Sequence, residues 1–111
     1  MAKDLKQLFF LAALLLFSSF SGMAAPDGKA IFQANCAACH NPLKDATGPA
    51  LQGVSSRVPS KDWIYKWVHG SANVIASGDA YANALFAKWN KVPMTPFPSL
   101  SNEEIDAVVK Y

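Results

Sequence analysis

The sequence predicts a small all-α domain, on three observations. Apolar side chains recur at helical spacing in separate segments: Trp63, Ile64, Trp67 and Val68 in one, Tyr81, Leu85, Phe86 and Trp89 in another. Helix-start signals stand where such segments begin, with Ser60 ahead of the first and a Ser101-Asn102-Glu103-Glu104 capping box ahead of Ile105, Val108 and Val109. No run alternates apolar and polar residues as a half-buried strand would. At 111 residues the chain has room for one domain.

The N-terminal segment reads as an address. Lys3 and Lys6 make a basic start, Leu8 to Phe20 is apolar except for Ser18 and Ser19, and small residues follow. That order is a secretory signal peptide over residues 1–24, with Gly22 and Ala24 at the positions a signal peptidase reads. Residues 25–111 are then the domain. The competing reading is a retained membrane anchor, but the apolar run is shorter than the roughly 20 residues a spanning helix needs. The segment holds 16 apolar residues in 24, so it inflates the overall 51% and leaves the domain ordinary in composition.

Within the domain, Asp27 or Gly28 opens a helix to about Asn35, with Ile31 and Phe32 as its apolar face. Residues 41–59 hold three prolines and two glycines and read as loop. Ser60 caps a second helix, Lys61 to about His69. Ser77, Gly78 and Asp79 break the chain, and Ala80 to about Asn90 is a third helix. The capping box starts a short fourth helix that reaches Tyr111.

A domain this small often leans on a staple or a cofactor. Both cysteines and one of the two histidines fall in Cys36-Ala37-Ala38-Cys39-His40. C-x-x-C-H is the attachment signal for c-type haem. Two thiols three positions apart can each add to a vinyl group on one porphyrin edge, and the next residue, His40, can offer a ring nitrogen to the iron. Three other readings compete. A thioredoxin-type redox pair wants a βαβ context, which is missing here. A zinc site wants four ligands, and only His69 and carboxylates remain to complete one. A disulfide across two residues would close too small a loop to stabilise much.

A second axial ligand is then sought. Met1 and Met23 belong to the leader, so Met94 alone remains. It sits in Val92-Pro93-Met94-Thr95-Pro96-Phe97-Pro98, where three prolines forbid helix and stiffen an extended loop. A stiff loop suits a ligand that must be positioned, and His/Met ligation suits electron transfer. Elsewhere a lone Met is usually a gap-filler in the core. His69 is the rival ligand, and its place before Gly70 reads as a surface or last-turn histidine. The aromatic residues at helical spacing read as core, and one Trp or Tyr could donate to a haem propionate.

Taken together these residues resemble a class I cytochrome c, the small mono-haem fold of about four helices. The resemblance spans nearly all of residues 26–111. It implies that Gly28 and Phe32 pack on the C-terminal helix near Val108 and Tyr111. It implies that Gly48-Pro49-x-Leu51 lies on the proximal side, with the Pro49 carbonyl accepting a hydrogen bond from the His40 ring and Leu51 packing near the haem. It matches Met94 to the distal ligand. The segment from Asn73 to Lys91 is long for a minimal member and has no assigned task. Members usually continue a turn or two past the aromatic matched by Tyr111, so the resemblance also implies a C-terminal helix cut short or a longer chain. Two stretches, residues 62–67 and 77–81, are similar to cytochrome domains of bacterial respiratory-chain complexes.

The expected function is that of a periplasmic one-electron carrier, not an enzyme. It would work between a membrane oxidoreductase and a terminal oxidase or reductase, with one haem c held by Cys36 and Cys39. Membrane association would follow if the leader were retained or the chain belonged to a larger protein. Lys44, Lys88 and Lys91 would steer an acidic partner. The alternative is a catalytic or gas-sensing haem domain with an open distal site. Ten basic residues against eight acidic ones, with no basic stripe, exclude a nucleic-acid footprint. No constellation points to a small-molecule substrate.

Overall fold

The computed structural model describes Gly22 and residues 24–111, and the leader expected over residues 1–24 lies almost wholly outside them. Among the described residues no helix is long and apolar enough to cross a membrane. The described residues form four α-helices, α1 (Gly28–Asn35), α2 (Lys61–Ala76), α3 (Ala80–Lys88) and α4 (Asn102–Lys110), with one 3-10 turn at Val54–Ser56. The all-α class and the helix count are those expected.

Each helix starts where a side chain can satisfy its first amides. Asp27 accepts from the Ala30 amide at 3.1 Å, and Ser60 from Trp63 at 3.0 Å. Asp79 accepts from Ala82 at 2.7 Å. The capping box on α4 is complete: Glu104 N–H donates to Ser101 Oγ at 3.1 Å, and Ser101 N–H donates to the Glu104 carboxylate at 2.8 Å.

α1 lies across α4 at very short range. A Cβ on Gly28 would overlap the Ala107 carbonyl, so only glycine allows the two backbones to meet there. Phe32 is buried and its ring packs on Tyr111, centroids 5.8 Å apart. The helix contact implied by the resemblance is therefore present. α4 is tied to α2 by Asp106, which accepts from Tyr65 Oη at 2.7 Å and pairs with Lys61 at 2.8 Å. Lys61 and then Tyr65 hold the Asp106 carboxyl below its ordinary range.

The core is built from Trp63, Ile64, Val74, Ala82 and Ile105. Trp63 stacks on Trp67 with centroids 5.0 Å apart, and meets Tyr81 edge-on at 5.1 Å. Its indole N–H donates to Asp79 at 3.3 Å, so one carboxylate both caps α3 and fixes α2 beside it. That indole is thereby committed within the protein.

The second helix does not end near His69, where Gly70 leads the sequence to predict a stop. α2 runs on to Ala76, with a break at Gly70, whose backbone is extended at φ −175° and ψ 82°. A Gly-Ser pair is a usual cause of such a kink, and Gly70-Ser71 is one. The third helix ends two residues earlier than expected, at Lys88. Asn90 and Lys91 then take left-handed conformations, with φ of 58° and 57°, and the Lys91 amide bonds back to the Phe86 carbonyl at 2.9 Å. This turn delivers the chain into the proline-rich loop.

Candidate functional site

One cavity of about 560 Å³ lies between the helices and the two loops. Cys36, Cys39, His40, Pro49, Leu51 and Met94 all line it. Residues spread over almost 60 positions of the chain thus meet at one place. The volume falls in the range of cofactor pockets, roughly 300–1,000 Å³. Most of the wall is apolar, with Trp63, Ile64, Val68, Leu85, Phe97 and Ile105 among its residues.

One face of the cavity is the segment 36–51. The chain leaves α1 in tight turns, with the Cys39 and His40 amides both bonded to the Cys36 carbonyl at 3.1 and 2.9 Å. Cys36 and Cys39 are free thiols, the first half-buried and the second exposed. Burial pushes the Cys36 thiol up from its ordinary range. The His40 ring then folds toward the loop. Its Nδ1 lies 2.8 Å from the Pro49 carbonyl. A carbonyl can only accept, so Nδ1 carries a proton, and in the neutral ring it is Nε2 that offers a lone pair to a metal. A proline carbonyl in this role fixes both the tautomer and the ring plane.

Gly48 makes that placement possible. A Cβ there would sit inside the contact distance of the His40 ring, at 2.8 Å from Nδ1. The Gly48 amide donates to Cys39 O at 2.8 Å, which closes the loop under the ring. Asp45 accepts from the Ala50 amide at 2.9 Å and stiffens the same loop.

Another part of the wall carries Met94, which is half-buried in its proline-rich loop. Its main-chain carbonyl accepts from Ser71 Oγ at 3.2 Å, and the Phe97 amide donates to Val68 O at 2.9 Å.

His69 is not the surface histidine expected. It is half-buried at the α2 kink, with Nε2 donating to Leu100 O at 2.7 Å. It does not line the cavity, so it is poorly placed as a rival ligand to Met94. The segment from Asn73 to Lys91 also finds a task. It packs α3 on α2, and Leu85, Phe86 and Trp89 close one side of the cavity.

Two residues escaped the sequence reading. Arg57, the single arginine, lines the cavity and donates to Ala50 O at 2.6 Å and Gln52 O at 2.5 Å. Its being the one arginine was the available signal. Ser71 is the other, and the Gly-Ser pair inside an apolar helix was its signal.

The donor set fits a haem. The cavity is lined by an imidazole whose Nδ1 is engaged by Pro49, a thioether and two thiols. A glycine keeps the ring's side clear. The family model of cytochrome c matches residues 25–111. The chain belongs to the cytochrome c family. A cytochrome c-552 of Nitrosomonas europaea is 26% identical over 102 residues, covering 92% of this chain and 87% of that protein. A cytochrome c-553-like protein of Synechocystis is 49% identical over 47 residues, which is 41% of this chain and 45% of that protein. That match therefore spans less than half of the Synechocystis protein. The solved structure of a cytochrome c from Rhodothermus marinus superposes with a TM-score of 0.64 at 26% identity, covering 77% of this chain and 70% of that one. The four helices thus form the all-α cytochrome c fold, and the family is one of haem-bearing electron carriers.

Proposed function

We propose that this cytochrome c carries one electron at a time in a respiratory chain, using one haem c with His40 and Met94 as axial ligands. When bound, the haem supplies a one-electron iron couple. Cys36 and Cys39 would hold it through thioethers. The observation that carries the reading is the His40–Pro49 hydrogen bond, which commits Nδ1 as the donor in a ring that, with Met94, lines one cavity.

The chain's own contribution is positional. Pro49 and Gly48 hold the imidazole in one orientation. The proline-rich loop holds the thioether, and the apolar wall excludes water. Fixed donors lower the reorganisation needed when charge changes. The exported, periplasmic location rests on the sequence of residues 1–24. Lys88 lines the cavity, and Lys44 and Lys91 are exposed on segments beside it. Leu43 and Val92, 75% and 52% exposed, stand next to those lysines in sequence. A basic and apolar rim of this kind would receive an acidic membrane oxidoreductase on one side of the chain and a terminal oxidase or reductase on the other. Electron-transfer rates with such a partner are expected to fall as salt rises. A flat salt dependence would remove the steering role of the lysines.

The test of the ligation is Met94→Ala. The variant is expected to keep its covalent haem, to bind carbon monoxide when reduced and to show a lower reduction potential. Unchanged low-spin spectra would exclude Met94 as the ligand. The catalytic or sensing alternative predicts carbon monoxide binding to the parent protein itself.

A further inference from the structure

The proline-rich loop cannot anchor itself. Pro93, Pro96 and Pro98 limit its dihedral angles but remove three amide donors, and the loop has no helix or strand of its own. Beyond the Val92 amide, which bonds back to the Trp89 carbonyl of the preceding turn, its long-range hydrogen bonds come from one place. Val68, His69 and Ser71, on the two sides of the Gly70 break, each bond to it. The Val68 carbonyl accepts from Phe97 N–H at 2.9 Å. His69 Nε2 donates to Leu100 O at 2.7 Å. Ser71 Oγ donates to Met94 O at 3.2 Å.

Ser71 is the most telling of the three. It is 2% exposed, and among the described residues it is the buried polar side chain. A serine within a helix ordinarily turns its hydroxyl to solvent or to its own carbonyl four residues back. Here the break at Gly70 aims it across the fold at the very residue read as the iron ligand. A buried hydroxyl left without an acceptor would be costly, so the bond ties the Met94 main chain to α2.

We propose that Ser71 is a positioning residue for the axial thioether: its buried hydroxyl, with Val68 and His69, pins the Met94 loop closed. The proposal rests on the haem and Met94 reading above. The kink in α2 is then a working part of the site, and the loop-closed state is favoured by a bond that a small competitor ligand must help to break.

The test uses the full, haem-loaded protein and imidazole as the competing ligand, titrated optically against the oxidised form. Ser71→Ala nearly keeps the volume and does not lower helix propensity while removing the donor. It is expected to bind imidazole about three- to tenfold more tightly than the parent, as loss of one intramolecular hydrogen bond implies. Its reduction potential should fall. Ser77→Ala is the control, because Ser77 makes a comparable bond in the turn at the end of the same helix, to Val74 O at 2.6 Å, away from the loop. It should leave imidazole affinity unchanged. His69→Phe should raise the affinity by less than Ser71→Ala, and it carries the test alone if the Ser71 variant does not fold. An unmoved affinity in Ser71→Ala, or in His69→Phe where that variant stands alone, overturns the clamp. So does an equal rise in Ser77→Ala. Met94→Ala in the same titration separates the two readings. A large rise there with Ser71→Ala unmoved defeats the clamp alone, whereas no rise in Met94→Ala defeats both.

Discussion

The face of the cavity that carries His40 is assembled from neighbours in sequence, whereas the face that carries Met94 is assembled from strangers. His40 is oriented by Pro49, nine residues away, and seated by Gly48. Met94 is held by Ser71, and its loop by Val68 and His69, residues 23 to 31 positions from their partners. The first face needs only a short loop to close. The second needs α2 already packed and kinked before the loop has anything to bond. Local order is fixed early and cheaply, and non-local order inherits every weakness of the fold between its parts.

The largest expected effect comes from weakening that intermediary. Ile105 is 3% exposed and packs in the core beside Trp63 and Ile64. Ile105→Ala should cost about 2–5 kcal/mol, read from urea midpoints. Hydrogen exchange on the same variant sharpens the contrast. The Phe97 amide, bonded to Val68, should lose more protection than the Gly48 amide, bonded to Cys39. Equal losses at the two amides would break the distinction between the faces.

A smaller effect is expected on the local face. Gly48→Ala places a methyl against the His40 ring, and the overpacking should cost about 1–3 kcal/mol. Because the ring must tilt to escape, the reduction potential should also shift. An unchanged potential together with unchanged stability would show that the ring does not depend on Gly48.

The division also explains what could be read from the sequence. The motif at Cys36, Cys39 and His40 is contiguous, so its chemistry shows in the spacing. Caps at Ser60 and Ser101 are local too, and those helix starts follow from them, whereas Asp79, which reads only as part of a chain break, caps α3 in the fold. Met94 stands out because it is the one methionine outside the expected leader, and its prolines support the reading. The continuation of α2 past His69 was missed because Gly70 looked like an end, and a local signal does not distinguish a stop from a kink. The Ser71 and His69 contacts were out of reach, since each depends on where a distant loop comes to lie. Arg57 was overlooked for the same reason, its role being set by the way the loop around Ala50 and Gln52 folds over it.

The smallest expected effect is one of pH, at the bond that fastens α4 to α2. Lys61 and Tyr65 depress the Asp106 carboxyl, so its stabilisation is present above the ordinary carboxylate range, about pH 4, and is lost as pH falls through its lowered value. Asp106 in turn raises Lys61, and that contribution is present below about pH 10 and lost as pH rises through the raised value. Burial, followed by Asp106, raises Tyr65 in the same direction. The stability gap between the parent and Asp106→Asn should be level between these limits and should close at both ends. A gap that persists into strong acid would mean that the carboxylate charge is not what holds the two helices together.

The central claim is that His40 and Met94 close an iron site from the two faces. It is tested most directly by the optical spectrum of the purified haem-loaded protein, oxidised and reduced, with and without carbon monoxide. The account predicts sharp low-spin bands in the reduced protein that carbon monoxide leaves in place. A high-spin spectrum that shifts with carbon monoxide would contradict it, because the Met94 face would then leave the iron open.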